Sequence, residues 1–243
     1  MKIAVIPARY NSSRFPGKPL ALIFGKPMIQ HVYENIKKTD LLNEVLIGTD
    51  DKRIEECCIA FGAKVVLTKK THLNGTSRCL EAVSTTYPNL KKEDIVLNIQ
   101  GDEPFVKQEH IEKLLFCFEQ KKTKIATLKK KIYNQSEIDS KHIVKVYTKN
   151  KHAEIFYRIK TDFKIKEHFK HIGLYGFRFQ ILKQVCDMSP TANEKKLKLE
   201  QLRWLENGIP IKVAETTLES LAVDTPQDLK KITNKIYKRY KKM

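Results

Sequence analysis

Residues 3–20 read IAVIPARYNSSRFPGKPL, and this stretch decides the fold. Ile3 to Ile6 is a short apolar run, the pattern of a strand buried on both faces of a parallel sheet. The chain breaks at Pro7 and enters a loop carrying Arg9, Arg14 and Lys18, with Ser12, Ser13 and Gly17 between them, and residues 27–38 then read as a helix. A strand that opens into a basic loop containing Gly and Ser is one way α/β proteins hold a polyphosphate. Backbone N–H groups and Arg or Lys side chains converge on the oxyanions at the carboxyl end of the strand. The loop is not a P-loop, since Pro19 follows Lys18 where Ser or Thr is required, and no GxGxxG occurs. Taken alone, the loop also reads as an ordinary basic surface turn.

Outward from this loop, strands and helices alternate. Strands are predicted at 2–6, 44–48, 63–67, 94–98 and 124–128, and helices at 27–38, 51–61, 76–86 and 108–120. This rhythm predicts an α/β fold with a mostly parallel sheet flanked by helices. It changes after about residue 130. Strands at 142–148, 153–158 and 170–178 follow without long helices between them, and the polar run 160–170 reads as a loop or arm. A helix near 194–206, a strand at 211–214 and a final helix from 226 complete the chain.

A chain of 243 residues with 41% hydrophobic content suits one α/β domain with a smaller portion attached. Met1-Lys2 runs straight into a strand, so no signal peptide is expected, and no apolar run reaches the ~18 residues of a membrane span. The five cysteines show no CxxC pair, which points to free thiols in a reducing cytoplasm. The net charge of +18 comes from 46 Lys and Arg against 28 Asp and Glu. It is dispersed in patches such as Lys129-Lys130-Lys131, Lys195-Lys196 and Lys238-Arg239-Tyr240-Lys241-Lys242. No helix-turn-helix or RRM-type pattern accompanies them, so specific nucleic-acid binding is not expected. A basic surface attracts anionic nucleotides and sugar acids all the same.

Two acidic motifs complement the basic loop. Asn98-Ile99-Gln100-Gly101-Asp102-Glu103-Pro104 follows the apolar strand Ile95-Val96-Leu97. An acid just past a central strand lies in the crevice where open α/β sheets bind ligands, which makes Asp102 a candidate Mg²⁺ ligand. A plain β-turn is the alternative. Val223-Asp224-Thr225-Pro226 reads as a helix start with Asp224 or Thr225 as its cap, or else Asp224 is a second metal carboxylate.

Together these motifs resemble the 3-deoxy-manno-octulosonate (Kdo) cytidylyltransferases, also called CMP-Kdo synthetases. The likeness covers nearly the whole chain: IPARYNSSRFPGKPL at 6–20, GKPMIQHV at 25–32, TDD at 49–51, HLNGTSR at 72–78, NIQGDEP at 98–104, KHIVKV at 141–146, HIGLYGFR at 171–178, LEQLRWLENG at 199–208 and VDTPQDL at 223–229. The resemblance implies a nucleotide-diphospho-sugar transferase fold in one domain, with residues 130–215 forming a smaller sugar-binding and dimerisation portion. It implies CMP transfer from CTP to the anomeric hydroxyl of a 3-deoxy-2-ulosonic acid, with Mg²⁺ held by Asp102 and Asp224. Ala8, Arg9, Arg14 and Lys18 would meet the phosphates, and Gly75, Thr76, Arg78 and Gln100 the cytosine and ribose. Gly75 would let a flat base approach, because no Cβ intervenes. Arg158, His171, Tyr175, Glu200 and Gln201 would meet the sugar. A homodimer in the cytoplasm, serving lipopolysaccharide biosynthesis, is implied as well.

The chain departs from the family pattern at Asn74 and Ser77, around Arg158, and at Asn193 and Leu197. Because these last changes lie on the sugar side, a modified acid such as 8-amino-Kdo is the alternative substrate. A nucleotidyltransferase of another specificity, and a non-catalytic binding protein on the same fold, are the other readings.

Overall fold

The computed structural model describes residues 1–159 and 165–240. The chain forms two compact units. The first is Met1–Leu90 with Asn98–Gln108 and Ser220–Met243, and the second is Lys91–Leu97 with Glu109–Glu219.

The first unit begins with β1 (Lys2–Ala8), a small hairpin of β2 (Leu22–Ile23) and β3 (Lys26–Pro27), and α1 (Met28–Ile36). It continues through β4 (Glu44–Thr49), α2 (Lys52–Ala60), β5 (Lys64–Leu67) and α3 (Gly75–Thr86). Its strands stand in the order β5, β4, β1, and both pairings are parallel. Ile3, Ala4, Val5 and Ile6 are fully buried, as the continuous apolar run requires. Helix α1 buries Met28, Ile29, Val32 and Ile36, the spacing of one helical face. Gly48 permits a close approach of α3 to β4, for a Cβ there would lie 3.0 Å from that of Ala82.

Strand β6 (Ile95–Asn98) ends in the first unit. The second unit contains α4 (Gln108–Phe116), β7 (Ile125–Lys131), α5 (Gln135–Asp139), β8 (Lys145–Lys149), β9 (His152–Tyr157) and β10 (Phe169–Arg178). It closes with α6 (Phe179–Asp187), α7 (Ala192–Leu197), α8 (Gln201–Glu206) and β11 (Ile211–Glu215). The strands β10, β7, β11, β9 and β8 are neighbours in that order, and of their pairings β7 with β11 is parallel and the others antiparallel. Parallel pairing needs a crossover, and the short links after residue 130 do not supply one. The chain then returns to the first unit with α9 (Pro226–Tyr240).

Several elements differ from the sequence expectation. The helix expected over 194–206 is two helices, because Lys198 takes a left-handed φ of 53° at the end of α7. Helix α4 ends in a 3-10 turn, Cys117–Glu119. Helices α5 and α6 were not foreseen. In α6 the buried set Phe179, Ile181, Leu182 and Val185 follows a strand directly, with no Gly or Pro to mark the change. Residues 160–164 of the expected arm and the last three residues of the basic end lie outside the described residues. All five cysteines are free thiols, though Cys57 and Cys186 are only partly buried. Among the described residues, no helix is long and apolar enough to cross a membrane.

Candidate active site

The basic loop and both acidic motifs meet in the first unit. Gly17 has a left-handed φ of 68°, and its N–H donates to the Tyr10 carbonyl at 2.9 Å, which closes the loop on itself. Lys18 follows at the start of a 3-10 turn (Lys18–Leu20). Its ammonium lies 2.7 Å from Asp102 Oδ2 and 3.7 Å from Asp224 Oδ1, while Arg14 Nη2 lies 3.2 Å from Asp224 Oδ1.

A small apolar cluster builds this convergence. Ile23, Met28, Val223 and Ile232 pack together with Phe15, Phe105 and Leu229 against them. Phe15 follows Arg14 and Val223 precedes Asp224, so burying the two apolar neighbours brings the two charges together. Backbone bonds fix the register: Val223 N–H donates to Asp102 O at 2.9 Å, and the Ser220 hydroxyl donates to the Glu103 carboxylate.

The structural alternatives for both acids describe the backbone only. Glu103 N–H donates to Gln100 O at 3.1 Å, so the turn is real, yet the Asp102 side chain faces Lys18. At the start of α9 the cap is Thr225, whose Oγ1 accepts from Asp228 N–H at 3.2 Å and whose N–H donates to Asp228 Oδ2 at 2.9 Å. The Asp224 carboxylate pairs with Arg14 and Lys18 instead.

A cavity of about 180 Å³ is lined by Ala8, Arg9, Arg14, Lys18, Gly75, Arg78, Gln100, Asp102 and Asp224. Thr76 is buried and does not line it. A Cβ at Gly75 would meet the Gln100 amide and Pro7 at 3.1 Å, so the glycine makes room for those side chains. The Arg78 guanidinium is engaged, donating to Asp50 Oδ2 at 2.7 Å and Thr68 Oγ1 at 2.6 Å. His72 also lines the cavity and had not been singled out as a site residue. Its Nδ1 bonds Ser77 Oγ at 3.0 Å and its Nε2 bonds Glu81, an arrangement that holds the ring in one orientation. Its place within HLNGTSR, beside Gly75, was the available signal.

The residues assigned to the sugar side all fall in the second unit. His171 and Tyr175 lie on β10 with their rings 5.4 Å apart. A regular strand would separate residues four apart by about 13 Å. The register slips instead: Ile172 pairs with Leu128, and Tyr175 with the next residue, Thr127. The bulge keeps both side chains on one face and brings them together. Thr127 Oγ1 lies 2.8 Å from Leu174 O and 2.9 Å from His171 Nε2. A hydroxyl that donates to the carbonyl accepts from the imidazole, which makes His171 the neutral Nε2–H tautomer. Burial pushes its pKa down to about 3.

Burial, and then the nearby Glu200 carboxylate, push the Tyr175 phenol well above its ordinary range. Its ring packs edge-on against Trp204, and neither the phenol oxygen nor the indole N–H has a hydrogen-bond partner among the described residues. Gln201 is buried at the start of α8. Arg158 donates to the His142 carbonyl at 3.1 Å. Its own carbonyl accepts from the fully buried Lys145 ammonium at 2.7 Å, and that ammonium's pKa is lowered first by burial.

No cluster of three or more His, Cys, Asp or Glu that could hold a metal occurs among the described residues. Asp102 and Asp224 nonetheless present two carboxylates to one cationic centre. That donor set fits Mg²⁺, which takes one or two carboxylates and completes its shell with phosphate oxygens and water.

The cytidylyltransferase family model matches residues 3–231. A 3-deoxy-manno-octulosonate cytidylyltransferase of Parabacteroides distasonis is 44% identical, over 94% of this chain and 95% of its own length. One of Thermodesulfovibrio yellowstonii is 43% identical, over 93% and 94%. Among solved structures, a CMP:2-keto-3-deoxy-manno-octonic acid synthetase complexed with CTP superposes with a TM-score of 0.90 at 35% identity, covering 98% of this chain and 99% of that one.

Proposed function

This chain belongs to the 3-deoxy-manno-octulosonate cytidylyltransferase family, and from that premise we propose that it transfers CMP from CTP to the anomeric hydroxyl of Kdo, releasing pyrophosphate. The observation that carries the reading at the site is the meeting of Lys18, Arg14, Asp102 and Asp224 in one cavity lined by the basic loop. In nucleotidyl transfer the protein has little covalent work to do. It aligns the attacking hydroxyl, the α-phosphorus and the leaving pyrophosphate, and it neutralises charge on the triphosphate.

Arg9, Arg14 and Lys18 bind the phosphates, with Ala8 at the backbone contact. Asp102 and Asp224 hold Mg²⁺, which when bound supplies charge neutralisation and polarises phosphoryl oxygens. Gly75, Arg78 and Gln100 line the cavity and meet the cytosine and ribose, Thr76 is buried next to Gly75 in the chain and supports them, and His72 faces the same cavity. Arg158 meets the sugar carboxylate, for which a guanidinium fork is suited. Tyr175, with His171 and Glu200 near it, and Gln201 meet the sugar hydroxyls. The acting form is a homodimer in the cytoplasm, and its product feeds lipopolysaccharide assembly.

Pyrophosphate release from CTP tests the reading. Release is expected to require both Kdo and Mg²⁺, and to fall about a hundredfold or more in Asp102→Asn and in Asp224→Asn. Faster release with 8-amino-Kdo would move the substrate to that acid. Preference for UTP or for a phosphorylated acceptor would sink the assignment.

A further inference from the structure

A second cavity, of about 260 Å³, shares Arg9, His72 and Arg78 with the first and is also walled by Tyr10, Asp51 and Arg53. Asp51 closes the TDD motif and, unlike Asp50 before it, which binds Arg78, has no part in the proposed reaction. It is held as the N-cap of α2, its Oδ1 accepting from Arg53 N–H at 3.0 Å. The same carboxylate takes the Arg53 guanidinium in a two-pronged pair, Nε to Oδ1 at 2.9 Å and Nη2 to Oδ2 at 2.7 Å. A fork bound in this way has one orientation. It lies over the Tyr10 ring, 3.3 Å from the centroid. The Tyr10 ring is also packed on Gly17, where a Cβ would meet it at 3.1 Å, and Tyr10 O accepts the Gly17 N–H. The two ends of the basic loop therefore meet at Tyr10, with Arg9 just before it and Lys18 just after Gly17.

We infer that Arg53 is a positioning residue for the triphosphate: from the first turn of α2 it fixes Tyr10, and through Tyr10 the loop that presents Arg9, Arg14 and Lys18. The inference rests on the assignment of that loop to the phosphates of CTP. Arg53 acts without touching the nucleotide. Its side chain is 57% exposed, so removing it leaves the fold in place and frees the loop to sample more conformations. A looser loop binds its ligand less tightly, because the ordering then has to accompany binding.

Calorimetric CTP binding and steady-state kinetics on Arg53→Ala, Arg53→Lys, Tyr10→Leu and the Arg53→Ala/Tyr10→Leu double variant test this. Arg53→Ala is expected to raise Kd and KM for CTP about fivefold, the scale of an exposed cation–π contact. The KM for Kdo and the melting temperature of the unliganded protein stay at wild-type values. Lysine, which keeps the charge and loses the fork, restores part of the affinity. Tyr10→Leu reproduces Arg53→Ala, and the double variant is no worse than Tyr10→Leu, because both remove one contact. Additive losses would show Arg53 acting on the nucleotide independently and overturn the inference. So would a lowered melting temperature with unchanged CTP affinity. Arg53→Ala matching a CTP-binding wild type overturns the role of Arg53 alone, whereas a wild type that binds no CTP overturns the loop assignment and this inference with it.

Discussion

His171 shows how a single buried residue couples the stability of the fold to pH. Its ordinary pKa is 6.5, and burial in the fold pushes it down to about 3. Between those values the unfolded chain carries the extra proton, so stability rises with pH there and is flat above about 6.5. The contribution of the neutral ring is lost as pH falls toward 3, at up to about 1.4 kcal/mol per pH unit. Urea unfolding of wild type and His171→Phe from pH 7.5 to pH 4 should therefore show the wild type losing its relative stability only below about pH 6.5. A constant difference across the range would contradict the burial of an uncharged ring. At this scale the charged residues were legible in the sequence. Arg14, Lys18, Asp102 and Asp224 were singled out by residue type and position, and the structure brings them together. What the sequence could not display is who stands behind each residue. Arg78 is engaged by Asp50, and the side-chain-free face of Gly75 is filled by Gln100 and Pro7. Both facts depend on partners distant along the chain.

Among the elements, the pair α7 and α8 has the most specific anchor. Glu194 sits in a capping box with Thr191 and also binds Arg203, Oε2 accepting from Nε at 2.8 Å and Oε1 from Nη2 at 2.6 Å. Both side chains are largely buried, at 13% and 6% exposure. Removing one partner of a buried pair leaves the other charge uncompensated, at about 3–5 kcal/mol. Glu194→Ala should lose about 3 kcal/mol or more in equilibrium unfolding, and Thr191→Ala, which loses only the cap, about 1 kcal/mol. Equal losses would mean that Arg203 finds another partner. Element types were read well where apolar runs are bounded by turn residues, as in β1, β4 and β6. They were missed where no such boundary exists. Strand β10 passes into α6 with Arg178 as the only residue of transition, and the break at Lys198 uses a left-handed conformation that nothing in a lysine announces.

For the whole molecule, the net charge of +18 is the property that no single contact contains. A field of that sign draws an anionic nucleotide in, and salt screens it, with a Debye length of about 10 Å at 0.1 M. The kcat/KM for CTP should fall severalfold as KCl rises from about 0.05 to 0.5 M, with the loss in KM. A flat salt profile would mark the lysines as a solvated surface with no part in capture. The change of rhythm near residue 130 coincides with a change to mostly antiparallel strand pairing. The units observed do not follow that boundary, since the first is assembled from three separate segments.

This discontinuity gives the protein a schedule. A ribosome delivers Lys18 and the basic loop early and must pass through the whole of the second unit before it reaches Ser220, the residue that bonds Glu103, and then Asp224. At about 5–20 residues per second, the wait between Lys18 and Asp224 lasts roughly 10–40 s. Until Asp102 is made the nascent chain carries neither acidic group, and from then on it carries one of the two and none of the segment whose Val223 completes the cluster around Phe15. The segment that carries Asp224 is thus translated only after the whole of the second unit, and Arg14, Lys18, Asp102 and Asp224 can meet only once it has emerged.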